Sequence, residues 1–223
     1  MPSRHSFLRS SVGSKYLIAL SGLALVGFLI GHLAGNLLIY ISPHAFNAYG
    51  ENMIHNPLLI PAELGLLAIF VLHAYKAARL FFGSQTARPV GYARTRWAGH
   101  TSRKSWASAT MILSGTFLLV FVPLHLKTFK YGPHYETADG GRDLWRLLVE
   151  VFSRPGYVAF YSLGMVIVGF HLWHGVSSAF QSMGADRGSL AARIRLAGWV
   201  LAVLIGGGLL TIPLYVYFLR ARP

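Results

Sequence analysis

Residues 16–41 read YLIALSGLALVGFLIGHLAGNLLIYI, a long apolar run that holds one histidine, His32. Crossing the ~30 Å hydrocarbon core of a bilayer takes about 20 such residues in a helix. The stretch therefore reads as a membrane span. An ionisable side chain at that depth is costly and marks a functional site by default. Four further runs follow, at about 57–82, 106–129, 156–183 and 194–219. Three of them hold a histidine of their own: His73 in AIFVLHAYKA, His125 in VFVPLHLKTF and His171 in IVGFHLWHGV. The sequence thus predicts an all-α membrane protein of five transmembrane helices, one integral-membrane domain over residues 1–223.

The boundaries have local signals. Asn56-Pro57 starts the second run and Phe82-Gly83 ends it; Arg154-Pro155 opens the fourth and Gly184 closes it. The first 15 residues are basic, as in a signal peptide. The apolar run after them is long and lacks a small-residue cleavage site behind a short h-region, so it is expected to be a retained first span. Between spans 3 and 4, RDLWRLLVEVFSR sets Leu144, Leu147, Leu148 and Val151 at helical spacing. It predicts a short amphipathic helix, lying on the membrane surface or packed on the bundle.

Composition agrees. Hydrophobic residues make up 54 % of the chain and charged ones 12 %, against roughly 25 % charged in a soluble domain. With no cysteine there are no disulfides, no Cys-ligated iron–sulfur clusters and no covalently attached c-type haem. A net charge of +13 on a soluble chain would point to nucleic acid. Here the basic residues lie in connections between apolar runs, so topology and anionic membrane lipid explain them, not nucleic acid. Thirteen Lys and Arg fall in the N-terminal segment and the 2–3 and 4–5 connections or the helix ends beside them. The other side has none in the 1–2 loop, five from Lys127 to Arg154 offset by four acids, and two at the C-terminus. The charge bias predicts a cytoplasmic N-terminus and an outside C-terminus; the location expected is a bacterial inner membrane.

Helix rise then sorts the histidines by depth. His73 lies 16 residues into its span and His171 16 beyond Pro155, each ~24 Å from the outer side. His32 lies 17 residues beyond Lys15 and His125 20 beyond Ser105, ~25 and ~30 Å from the inner side. These are two pairs at two depths, ~15–20 Å apart, each pair drawn from two different helices. Two bis-histidine haems b, stacked within the first four helices, require this arrangement, with one axial ligand from each face of the porphyrin. Two partners per level underfill a tetrahedral zinc or copper site. Small residues flank the positions: Gly22, Gly27, Gly31, Gly35, Ser114, Gly115, Gly164, Gly169 and Gly175. They admit either a flat macrocycle or close helix–helix packing.

At these motifs the chain resembles a known family. FLIGHLAGN, HAFNAYGENM, FVLHAYKAARLFF, LVFVPLHL and FYSLGMVIVGFHLWHGVSSAFQSMG look like segments of the diheme cytochrome b subunit of succinate:quinone oxidoreductases and fumarate reductases, the single-subunit five-helix kind. The resemblance covers most of the chain and is weakest in the fifth span. It implies that His73 and His171 ligate the haem proximal to a cytoplasmic dehydrogenase, and His32 and His125 the distal one. It implies a flavoprotein subunit and an iron–sulfur subunit as separate chains, because no nucleotide or cluster motif occurs here. It also implies a quinone as substrate and allows a higher oligomer of the complex.

His174, three residues after His171 on the same face, is the alternative ligand, or a contact for a haem propionate or for the docking surface. Lys15, Arg94, Arg103 and Lys104, with His100 and Trp106 nearby, are the candidate propionate partners; taken singly, each basic residue is explained by topology alone. Glu63, the one carboxylate within an apolar span, is a candidate for proton or quinone handling beside the distal level, or is hydrated at the interface. Nothing supplies a nucleophile or triad, so the chain alone carries no succinate chemistry. Rival readings are another haem b quinone-reactive subunit, as in a hydrogenase, and a transporter with a histidine proton relay. The absence of an inverted repeat and of a broken helix pair argues against the transporter.

Overall fold

The computed structural model describes residues 10–86, 110–185 and 188–220. Arg94, His100, Arg103, Lys104 and Trp106 lie outside the described residues. Five helices are long and apolar enough to cross a membrane: Ser11–Tyr40, Leu59–Ser84, Met111–Lys130, Pro155–Ser182 and Gly188–Arg220. The chain is a multi-pass helical membrane protein, and these are its spans 1 to 5. Their outward faces are apolar. Ile60, Leu64, Leu67 and Val71 on span 2, and Leu196, Trp199, Val203 and Leu204 on span 5, are exposed. A water-soluble protein does not carry apolar surface on that scale; lipid accounts for it.

Local chemistry sets the ends. Ser10 caps span 1, its hydroxyl accepting from the Gly13 amide at 3.0 Å. Pro155 sits in the first turn of span 4, where its missing N–H costs nothing. Gly184 ends that span at φ +78°, the left-handed position glycine takes without strain, and the Ala185 amide reaches back to the Phe180 carbonyl at 3.0 Å. The expected stop at Phe82-Gly83 is overrun to Thr86: Gly83 meets no neighbour, and Ser84 and Thr86 return their hydroxyls to carbonyls one turn back. Span 5 begins at Gly188, ahead of the expected 194.

Span 4 is the central helix. Val158, Tyr161, Met165, Val168, Leu172, Val176 and Ala179 recur three or four residues apart and are all buried. Span 4 contacts spans 1, 3 and 5; span 2 lies along span 1, and spans 2 and 3 touch lightly. The ring order of the first four is therefore 2-1-4-3, which makes spans 1 and 3 one diagonal and spans 2 and 4 the other. Span 5 packs outside, its Gly206 so close to Gly169 that an added Cβ would stand 3.0 Å from that Cα.

Two short helices cap the end away from the N-terminus. Leu144–Phe152 is the expected amphipathic helix, and its Leu147, Leu148, Val151 and Phe152 are buried against the bundle. Pro43–Ile54 is a helix that the apolar pattern of the sequence does not announce. Ser42 caps it by accepting from the Ala45 amide at 3.0 Å, and Pro43 fits its first turn. Asn47 joins the two helices, donating to Asp143 and accepting from the Trp145 amide, each at 2.9 Å. Glu51 accepts from the Arg142 amide at 3.1 Å.

Candidate functional site: two histidine pairs

Each pair comes together across one diagonal of the bundle. The His32 and His125 rings lie 5.8 Å apart at 86°, and the His73 and His171 rings 6.4 Å apart at 71°. Two imidazole nitrogens each bound at about 2 Å to one metal centre put their ring centroids about 6 Å apart. Both pairs meet that spacing. Among the described residues, no third His, Cys, Asp or Glu joins either pair as a metal-binding group. Each level thus offers the two opposed donors that an axially ligated macrocycle takes.

Three helices give the distance between levels. Span 1 touches His73 through Ser21 and carries His32 eleven residues on. Span 3 touches His171 through Ser114 and carries His125 eleven residues on. Span 4 carries Tyr161, against His125, ten residues before His171. At ~1.5 Å per residue these separations are ~15–17 Å.

The two levels are built differently. His73 Nδ1 lies 3.2 Å from both the Ser21 hydroxyl and the Ile18 carbonyl, and His171 Nδ1 lies 2.9 Å from the Ser114 hydroxyl. The second level is aromatic. His32 stacks on Phe28, while His125 has Phe121, Phe129 and Tyr161 around it at 5.4–5.9 Å. The Nδ1 of His125 is buried without a hydrogen-bond partner among the described residues. His125 closes the regular helix of span 3; Pro123 lies just before it and a π turn, Leu126–Lys130, just after. Proline withholds one amide from the ladder, and single π turns are frequent at functional positions.

The flanking glycines divide by role. Gly35 faces Tyr49, Gly164 faces Phe121 and Gly169 faces span 5, so these three serve helix packing. Gly22 lies under His73 and Gly115 under His171, with an added Cβ 3.1 and 3.7 Å from each Cε1. Gly27, Gly31 and Gly175 border open space.

Among the other sequence-predicted residues, His171 rather than His174 is the ring opposite His73. His174 lies about one turn further toward the N-terminal end of the bundle. Lys15 is exposed, three residues before Ile18 and so beside the His73 level. Glu63 is half-exposed and ion-paired with Lys130, bridging spans 2 and 3 near the capped end. The sequence reading missed Ser21 and the aromatic shell of His125. With Ser14 and Ser114, Ser21 makes up the buried polar side chains among the described residues, a burial that the sequence does not announce.

No protein-family model, no curated protein and no solved structure matches this chain.

Proposed function

We propose that this chain is the membrane anchor and electron-transfer subunit of a succinate:quinone oxidoreductase, holding two haems b. The observation that carries the reading is the pair of cross-diagonal histidine contacts, 5.8 and 6.4 Å between rings, on two levels of one bundle. His73 and His171 would hold one haem and His32 and His125 the other. Bound haem supplies one-electron redox chemistry, whose potential the protein tunes through ligands, hydrogen bonds and burial. The chain's own part is to fix two levels ~16 Å apart, keep each ligand neutral and oriented, and enclose the His125 level in aromatic side chains.

The remaining assignments follow from charge and position. The N-terminal end of the bundle faces the cytoplasm and receives the iron–sulfur subunit, which brings the flavoprotein. Lys15 at that end, and Arg103 of the 2–3 connection outside the described residues, are candidate propionate partners. Glu63, with Lys130, handles a proton or a quinone head group near the distal level. Glu63→Gln tests this: an unchanged rate of quinone reduction removes the assignment.

The decisive experiment is a reduced-minus-oxidised spectrum of the purified chain with haem quantified per polypeptide. Two b-type haems per chain are expected. Haem-free protein overturns the reading and returns the histidines to proton relay. Co-purification with a flavoprotein separates this reading from another haem b quinone-reactive subunit.

A further inference from the structure

Spans 1 and 3 carry the same device. Ser21-Gly22 precedes His32 by eleven residues, and Ser114-Gly115 precedes His125 by eleven. In each span the histidine serves one level and the Ser-Gly step serves the other. The glycine leaves room for the ring of a histidine on the neighbouring span, and the serine meets that ring's Nδ1.

Proton counting constrains the direction of these hydrogen bonds. A serine hydroxyl has one proton to give. Each serine has a carbonyl on its own helix that can receive it, Leu17 at 2.6 Å from Ser21 and Met111 at 3.0 Å from Ser114. A hydroxyl oxygen so engaged is an acceptor toward the histidine. The Ile18 carbonyl, 3.2 Å from His73 Nδ1, can only accept. His73 Nδ1 must therefore carry the proton, which leaves its Nε2 with a free lone pair; His171 Nδ1 takes the same form where Ser114 keeps its proton on the Met111 carbonyl. His125 Nδ1 has no such partner among the described residues.

We propose that Ser21-Gly22 and Ser114-Gly115 are positioning pairs that lock His73 and His171 as Nδ1–H tautomers with Nε2 presented for ligation, a constraint that His125 lacks. This rests on the reading of the pairs as haem ligands only for its redox consequence. An acceptor on Nδ1–H raises the basicity of a ligating imidazole, favouring the oxidised metal and lowering the midpoint potential of that level. Ser114 is the acceptor that His171 Nδ1 meets, whereas His73 keeps the Ile18 carbonyl if Ser21 is lost.

Two measurements test it on the full-length chain in detergent. The first is ¹⁵N NMR of histidine-labelled protein prepared without haem. His73 and His171 are expected as Nδ1–H tautomers; Ser114→Ala releases His171 into a mixture, and Ser114→Thr, which keeps the hydroxyl, restores it. A tautomer mixture in the unaltered chain, or no change in Ser114→Ala, overturns the proposal. The second is a potentiometric titration of the haem-loaded protein. Ser114→Ala is expected to shift one component to higher potential and alter its low-spin EPR signal, leaving the other in place, and Ser21→Ala to shift the same component less. Both components unmoved overturns the proposal while leaving the haem reading intact. An unaltered chain without haem overturns that reading instead, and the tautomer measurement still decides this one.

Discussion

At the scale of single residues, the four paired histidines differ from the fifth in the bundle by what their rings face. His171 looks across at His73 and His174 does not. His174→Ala is therefore expected to keep two haems per chain, whereas His171→Ala and His73→Ala each remove the same one and His32→Ala and His125→Ala the other; haem content and component-resolved spectra check this. Gly164 gives a stability test independent of cofactor. An added Cβ would stand 2.6 Å from Phe121, the ring that stacks on His125. Gly164→Ala is expected to cost about 1–3 kcal/mol, as overpacking does, read as a lowered melting temperature in detergent. The histidines were legible because an ionisable group in an apolar run stands out. The serines that hold two of them were not, because a serine in such a run is common, and only the fold shows that Ser21 and Ser114 meet histidines 52 and 57 residues away.

The elements were legible in proportion to their apolar length. All five spans were readable from hydropathy alone, with ends off by a few residues where Gly83 failed to stop a helix and span 5 started early. The amphipathic Leu144–Phe152 helix declared itself by period. Pro43–Ile54 did not, since its Asn, Gly and His content hides the apolar stripe, although Ser42-Pro43 is a helix-start signal. These two helices form a cap held by polar contacts, and that gives it a pH dependence. The Arg142 amide and then His55 hold the Glu51 carboxyl below its usual value of 4.5. A carboxylate with a depressed folded-state pKa stabilises above the unfolded value and loses that contribution as pH falls through the folded one. Docking of the cap is thus expected to be full above about pH 4.5 and to weaken below it. Fluorescence of Trp145, whose amide bonds Asn47, reports the docking. Glu51→Gln should flatten the acid transition. Asn47→Ala, which deletes the hydrogen bonds to Asp143 and from the Trp145 amide, should loosen the cap at every pH by about 1–3 kcal/mol.

For the whole molecule, ring order matters more than helix count. In the order 2-1-4-3, residues on adjacent spans meet easily, yet both histidine pairs cross a diagonal. Direct packing of opposite helices does not account for that; the proposed haems, spanning the middle, would. Helix rise gave the two levels from sequence, but the diagonal pairing needed the packing, since charge bias and length say nothing about which helix lies beside which. The same bundle makes orientation testable. Lys15, Lys76, Arg79, Arg193 and Arg195 gather at the N-terminal end, while the capped end sets Glu51, Glu63, Glu136, Asp139, Asp143 and Glu150 among its basic residues. Positively charged connections stay on the cytoplasmic side, so the proposed orientation puts the capped end outside. The chain has no native cysteine, so a single introduced thiol reports its own side. Ala138 and Thr86 are exposed at opposite ends. In intact cells a membrane-impermeant maleimide is expected to label Ala138→Cys and to spare Thr86→Cys until the membrane is opened. The reverse pattern would place the cap in the cytoplasm, move the His73–His171 level to the outer side, and leave the proposed dehydrogenase subunits without a docking face.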